Sequence, residues 1–341
     1  MLNQDYEIDR DTFHRKGFAK AAGLVKLETI EHLRKLCETT NNDSSFVAFK
    51  KNKYSVGIDD PNVQPLLVEP VLAELITGLM GKSMIFTDGI VFELDSSNSG
   101  FDWHIGITSF KYIYPGNDAV SIWIPLDPVD TSAQDGGMSF VSKEVFNGRE
   151  FYKLQHCATA SLAEGRYTLD RGYTSMAGVN RYSGIEADCI ESLRSAAQQL
   201  SPETYSESLY FSAFARNLLE RESETFDFDL GDAVLFTKDV FHRSNNLRPG
   251  PMRSRRAFVL RFIDVDSAYD EINDRVMGGE SAQIIKAIKV AHGEPFDISR
   301  AVCLRQRDEL HDERIVAARK AGPTAESAMP RSVMQEMTHG G

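Results

Sequence analysis

The sequence predicts a mainly β protein, in which an antiparallel core is flanked by helices. Three observations predict it. Strand-length segments rich in β-branched and aromatic residues run through the middle of the chain, turns containing glycine and proline separate them, and helical spacing of apolar residues occurs mainly outside this part. The 341 residues, 42% hydrophobic and 26% charged, have the composition of an ordinary globular protein.

The helices are predicted on either side of the core. Apolar residues recur at three- and four-residue spacing over 27–38, which predicts an amphipathic helix. A second helix is predicted from about Pro70 to Met80, where Gly81 ends it. After Tyr269 the chain is predicted to become helical again, over 282–291 and 308–320.

The strands are predicted in a β core that comprises residues 83–145 and 229–265. Residues 84–94 are rich in Ile, Phe and Val, and apolar side chains alternate over 120–126. Turns are predicted at 115–118, 134–137 and 249–251, and further strands near 138–141, 232–236 and 252–262.

We expect one domain over residues 1–341. The segment 146–228 interrupts the β core and is much longer than ordinary strand connections, so we interpret it as a structured lid or insert. Residues 266–341 form the predicted helical C-terminal region, with the last fifteen or so residues frayed.

Charge and composition restrict the partners. Lys and Arg number 38 against 50 Asp and Glu, and this net charge of −12 argues against nonspecific binding of nucleic acid or anionic lipid. A small molecule is the expected partner; a carrier protein and the oligomeric state stay open. The four cysteines form no Cys-x-x-Cys pair, and no apolar run approaches the roughly 20 residues of a membrane span. We therefore expect a soluble, cytoplasmic protein.

Two of the eight histidines stand out by their context. His104 lies in Phe-Asp-Trp-His-Ile-Gly, just before strand-rich sequence, and His242 follows the strand predicted at 232–236. An arginine-bearing strand comes after His242. A single histidine is more often structural than a ligand, so the prediction depends on the combination.

In these segments the chain resembles the phytanoyl-CoA dioxygenase-like branch of the non-haem iron, 2-oxoglutarate-dependent oxygenases. The segments that carry the resemblance occur in the family's order: 13–18, 103–104, 121–127, 136–141, and His242 with its downstream arginines. The resemblance implies a double-stranded β-helix core of the jelly-roll or cupin-like type. It also implies Fe(II) held by a His-x-Asp/Glu pair and a distal His, with 2-oxoglutarate and O2 as co-substrates.

Gly106 departs from the family pattern. His104 and His242 match the two imidazole ligands, but the position of the carboxylate is Gly106, which has no side chain to bind a metal. A Gly or Ala at this position resembles the iron halogenases, in which chloride or bromide takes the vacated position. The resemblance therefore implies a halogenase that replaces an aliphatic C–H of a small metabolite by C–Cl or C–Br, with release of succinate and CO2.

Two alternatives stay open. Asp102 shares strand parity with His104, so Asp102, or water in the open position, could complete the iron site of a hydroxylase or other dioxygenase. The chain could also be a noncatalytic relative that retains the barrel for binding.

Arginine supplies a planar fork that matches the distal carboxylate of 2-oxoglutarate. Alignment with the family's arginine favours Arg255, with Arg253 as the fallback. Trp123 corresponds to a family tryptophan beside the keto acid, although ordinary core packing explains it equally well, and Ser121 lies on the same strand face. Ser244 is a weaker candidate to donate to the co-substrate.

The predicted lid contains a polar stretch that could contact the substrate. Exposed surface charge explains its arginines at least as well. The candidate substrate-binding residues are Arg166, Tyr167, Arg171, Tyr173 and Arg181.

Overall fold

The computed structural model of the chain describes residues 1–38, 48–54, 56, 60–106, 109–149, 213–271, 274, 288, 290–298 and 302–304. The chain divides into two compact units, Met1–Arg305 and Gln306–Gly341. The second unit lies outside the described residues, as do the predicted helix 308–320, most of 282–291 and residues 150–212 of the predicted lid. A single domain over the whole chain, with a lid, therefore stays a prediction.

The described residues contain five helices and eleven strands. The helices are α1 Arg10–Lys16, α2 Leu27–Glu38, α3 Gln64–Leu67, α4 Pro70–Met80 and α5 Ala213–Arg221. The strands are β1 Glu7–Ile8, β2 Phe18–Ala22, β3 Lys51–Lys53, β4 Met84–Asp95, β5 Ala119–Pro125, β6 Met138–Val141, β7 Ser223–Thr225, β8 Ala233–Thr237, β9 Phe241–Ser244, β10 Ser254–Asp264 and β11 Cys303–Leu304.

The two helices predicted near the N-terminus are confirmed with their bounds. The apolar side of α2 is buried, as its spacing predicts. Helix α4 begins with Pro70, whose fixed φ suits a first helical position, and ends at Gly81 in the left-handed region (φ 69°), whose N–H donates to Thr77 O at 2.8 Å. No helix within the described ranges is long and apolar enough to cross a membrane.

The strands form two antiparallel sheets. The larger has the order β1-β2-β8-β5-β10-β4-β11, with β3 also pairing with β4, and the smaller has the order β7-β6-β9. This arrangement is the predicted double-stranded β-helix, or jelly roll, with flanking helices. Strand β7 lies in the range predicted as an insert, yet it pairs with β6 and so belongs to the core.

The larger sheet is buried on both faces. In β10, Phe258 and Leu260 point outward into the cluster that contains the helices' apolar side chains, whereas Ala257 and Val259 point inward. The inward face meets the smaller sheet across an aromatic core. Its members include Phe18, Phe92, Trp123, Phe140, Phe228 and Phe236.

Candidate functional site

The structure brings His104 and His242 together. His242 lies in β9, and the chain segment around His104 runs antiparallel to it. His104 N–H donates to His242 O at 3.0 Å, and His242 N–H donates to His104 O at 2.9 Å. The two ring centroids are 4.2 Å apart. Two histidines from distant motifs thus form a pair on the smaller sheet, facing the interior.

Both imidazoles are oriented through Nδ1. Nδ1 of His104 lies 2.6 Å from Asp102 O, and Nδ1 of His242 lies 2.8 Å from Val240 O. Since a carbonyl oxygen can only accept, each Nδ1 carries the proton and each Nε2 keeps its lone pair. This is the arrangement of metal-binding histidines, whose second nitrogen is usually tied to a carbonyl or carboxylate.

Burial keeps both rings neutral. It lowers the pKa of His104 to about 4 and holds the pKa of His242 well below its ordinary value. The ring of His242 also packs on Phe236, with centroids 4.6 Å apart. At neutral pH the imidazoles are therefore in the form that binds a metal, and the pair fits an Fe(II) ion.

The described part of the chain holds no group of three or more His, Cys, Asp and Glu side chains that could bind a metal together. Gly106 is buried, and its N–H donates to Lys238 O at 2.7 Å. A Cβ added at Gly106 would lie 3.0 Å from Phe110 Cδ2 and 3.1 Å from Lys238 Cα. The backbone therefore lies close behind Gly106, and a side chain there needs its neighbours to shift by a few tenths of an ångström.

Asp102 is held away from the imidazole pair. Its Oδ2 lies 2.8 Å from Arg216 Nη2 of α5, its Oδ1 accepts the Trp103 N–H at 2.8 Å, and its side chain is 46% exposed. These contacts favour a structural role, in which Asp102 fastens the His104 segment to α5. Trp103 is fastened in the same way, because Nε1 donates to Glu220 Oε1 at 2.9 Å.

Asp102→Asn is therefore expected to leave Fe(II) binding within about twofold of the parent, because an exposed ion pair contributes little and the carbonyl that accepts from His104 stays in place. The measurement is an anaerobic titration with Fe(II) and 2-oxoglutarate, followed by their visible charge-transfer band. Loss of the band in a variant with unchanged thermal stability would instead make Asp102 a ligand.

Arg255 lies in the interior between the sheets. It is 1% exposed, its Nε donates to Gly136 O, and its Cζ lies 5.2 Å from the ring centroid of Trp123. Burial lowers the pKa of Arg255 to about 10, so it stays protonated at neutral pH. Within the described residues its two Nη groups make no hydrogen bond, which leaves the fork available to a carboxylate.

The neighbouring arginines are placed differently. Arg253 precedes β10 and is exposed, so the geometry does not favour it as the fallback. Arg256 points to the outer face, where Nε and Nη2 donate to the two Asp127 carboxylate oxygens at 2.9 and 2.6 Å. Of these three arginines, Arg255 is the one inside the barrel.

The serines differ from each other. Ser121 is buried in β5, where its register neighbours are Phe236 and Arg261. Ser244 Oγ accepts the Phe101 N–H at 3.3 Å, and this contact holds the chain segment that precedes His104.

The five candidate substrate-binding residues of the lid lie outside the described residues. Sequence reasoning missed Arg216, Glu220 and Lys238, since these side chains act across long separations in sequence.

Comparison with known proteins gives relatives by structure alone. No family model and no curated protein matches the sequence. The non-haem α-ketoglutarate-dependent epimerase SnoN of nogalamycin biosynthesis is 14% identical, with a TM-score of 0.52 over 87% of this chain and 97% of that chain. The carbocyclase SnoK of the same biosynthesis is 12% identical, with a TM-score of 0.52 over 84% and 91%.

A second structure of SnoN, in complex with Fe3+, α-ketoglutarate and nogalamycin RO, is 15% identical, with a TM-score of 0.51 over 87% and 97%. At such identities the likeness concerns the fold. The chain has the jelly-roll fold of iron, 2-oxoglutarate-dependent oxygenases.

Proposed function

We propose that this chain is a non-haem Fe(II)/2-oxoglutarate-dependent halogenase of the phytanoyl-CoA dioxygenase-like branch, and that it acts on a small metabolite. One observation supports the proposal most. Two neutral imidazoles with free Nε2 lone pairs lie together in the fold of such oxygenases, and Gly106 occupies the sequence position of the family's carboxylate ligand. A halide in the vacated position would be available for transfer to carbon.

The residues divide the work. His104 and His242 would hold iron through Nε2, and Arg255 would take the distal carboxylate of 2-oxoglutarate, with Trp123 packed against its guanidinium. When bound, iron with 2-oxoglutarate and O2 would supply the oxidising power needed to attack an unactivated C–H, with succinate and CO2 as co-products. Because Gly106 has no side chain to bind iron, the position of the family's carboxylate would stay open to chloride or bromide.

Gly106→Asp tests the proposal, with Gly106→Ala as the matched control. The aspartate is expected to supply a carboxylate ligand and weaken chloride binding by at least about tenfold, or 1.4 kcal/mol. Alanine adds the same Cβ but no ligand, so it is expected to keep chloride binding. The readout is the effect of chloride on the Fe(II)–2-oxoglutarate band, together with each variant's melting temperature.

A well-folded aspartate variant that binds chloride and halogenates like the parent would overturn the proposal. If both variants lose chloride binding, crowding by Phe110 and Lys238 explains the loss, because a Cβ at Gly106 lies 3.0 and 3.1 Å from them. Phe110 and Lys238 also limit the space beside Gly106 in the parent, and a water molecule is smaller than a chloride ion. This supports the second candidate, a hydroxylase or other dioxygenase with water in the open position. In that case chloride would leave the parent's band unchanged.

A further inference from the structure

Arg261 is a second arginine on the inner face of the barrel. Side chains two positions apart on a strand share a face. One side of β10 therefore carries Arg255, Ala257, Val259 and Arg261. Arg261 lies opposite Ser121 of β5 and Asp88 of β4, and its side chain is 14% exposed. The proposed function gives it no role.

The guanidinium of Arg261 is loosely held. In the described part of the chain its one hydrogen bond joins Nη1 to Asp88 Oδ2 at 3.4 Å. The outer-face pair of Arg256 and Asp127 is bidentate at 2.6 and 2.9 Å. A single long contact does not explain why a charged side chain is kept inside the barrel. The desolvation free energy of a buried ion pair offsets its Coulombic attraction unless the hydrogen-bond geometry is good.

The strand register links Arg261 to the imidazole pair. Ser121 lies in register between Arg261 and Phe236, and the ring centroids of Phe236 and His242 are 4.6 Å apart. A divalent cation bound to those imidazoles would be repelled by the positive charge of Arg261. An anion bound between the cation and Arg261 would therefore be stabilised by both positive charges. Arg255 is the arginine assigned to the distal carboxylate of the co-substrate, which leaves Arg261 for another anion.

An aromatic wall continues from His104 toward Arg261. The ring centroids of Phe101 and His104 are 5.4 Å apart, those of Phe92 and Phe101 are 5.8 Å apart, and those of Tyr54 and Phe92 are 6.2 Å apart. Phe92 and Asp88 lie on the same side of β4, and Asp88 lies opposite Arg261. A molecule with an apolar body and an acidic end would match this wall and its charged terminus.

We propose that Arg261 binds an oxyanion of the substrate, a carboxylate or a phosphate, and holds its apolar body against the aromatic wall beside His104. The inference rests on the proposed function for the identity of the site, and it adds the substrate class: a small acid with an apolar body. Arg261 is then a specificity-determining residue, distinct from the arginine that binds 2-oxoglutarate.

The test uses three probes of equal chain length: hexanoate, hexyl phosphate and hexanamide. Each is titrated calorimetrically into the anaerobic full-length protein with saturating Fe(II) and 2-oxoglutarate, and again into the protein alone. We expect at least one anion to bind about tenfold or more tightly than the neutral amide, while the charge-transfer band persists. Which anion binds distinguishes a carboxylate from a phosphate substrate.

Arg261→Gln is expected to remove this preference and leave the 2-oxoglutarate affinity unchanged. Arg15→Gln is the matched control, because it removes a positive charge from α1, where Arg15 forms an exposed ion pair with Glu144. If the single variant has a lowered melting temperature, the double variant Arg261→Gln, Asp88→Asn is used, because it also removes the carboxylate that pairs with Arg261.

Equal binding of anions and amide by the parent, a preference that survives Arg261→Gln, or displacement of 2-oxoglutarate by the anion would each overturn the inference. Failure of the proposed function looks different. In that case the parent shows no charge-transfer band, and the titrations of the protein alone still report whether the anion depends on Arg261.

Discussion

Replacing His242 by alanine is expected to abolish the Fe(II)–2-oxoglutarate charge-transfer band and to lower Fe(II) affinity by at least about 100-fold, because loss of even an outer-shell partner costs 10–100-fold. The physical reason is the small donor set. In the described part of the chain no third His, Cys, Asp or Glu side chain is placed to bind a metal with the pair, so one imidazole would remain. Anaerobic titration with Fe(II) at saturating 2-oxoglutarate measures the change.

His104→Ala is expected to behave in the same way, and His292→Ala is the control. His292 accepts or donates at Nε2 to the Tyr114 hydroxyl at 3.0 Å and has no contact with the pair among the described residues. A band of parental strength in a folded His242→Ala variant would contradict the metal site. Absence of a band in the parent would favour the noncatalytic alternative.

Arg255→Met is expected to weaken 2-oxoglutarate binding by roughly 100-fold, which is what the loss of about 3 kcal/mol of charge-assisted hydrogen bonding produces. Methionine keeps an unbranched apolar body beside Trp123 but removes both the charge and the fork. Arg255→Lys keeps a charge without the fork, so we expect an intermediate affinity. The dependence of the charge-transfer band on 2-oxoglutarate concentration gives the dissociation constants.

Arg253→Met is the matched control, since Arg253 is exposed and precedes β10. Its 2-oxoglutarate affinity is expected to equal that of the parent. If Arg253→Met weakened binding while Arg255→Met did not, the co-substrate would lie elsewhere. The buried bond from Arg255 Nε to Gly136 O is also lost in Arg255→Met, so each variant's melting temperature has to be compared.

Local patterns were enough to predict the elements that position the site. Helices α2 and α4 follow from apolar spacing and from Gly81, and β5 follows from strict alternation. Strand β2 was not predicted, because Phe-Ala-Lys-Ala-Ala contains no β-branched residue and gains its place only by pairing with β8. Strand β7 was assigned to the insert for a similar reason: three polar residues become a strand through β6.

The site was predictable to a lesser degree. A single histidine in a sequence does not indicate a metal ligand. His104 and His242 were selected because they lie in motifs that follow the family's order. Alignment with the family's arginine favoured Arg255 over Arg253, and in the structure Arg255 is the buried one of the two. The ion pair of Asp102 with Arg216 and the closeness of Lys238 to Gly106 join segments far apart in sequence, so no local pattern could indicate them.

The most direct test of the open coordination position at Gly106 is an anaerobic titration of the metal-free parent protein with Fe(II) and 2-oxoglutarate, with and without chloride. It needs no substrate. We expect a charge-transfer band that shifts or strengthens with chloride in a saturable way. A band that is indifferent to chloride and bromide would contradict halogenation and favour hydroxylation or another oxidation.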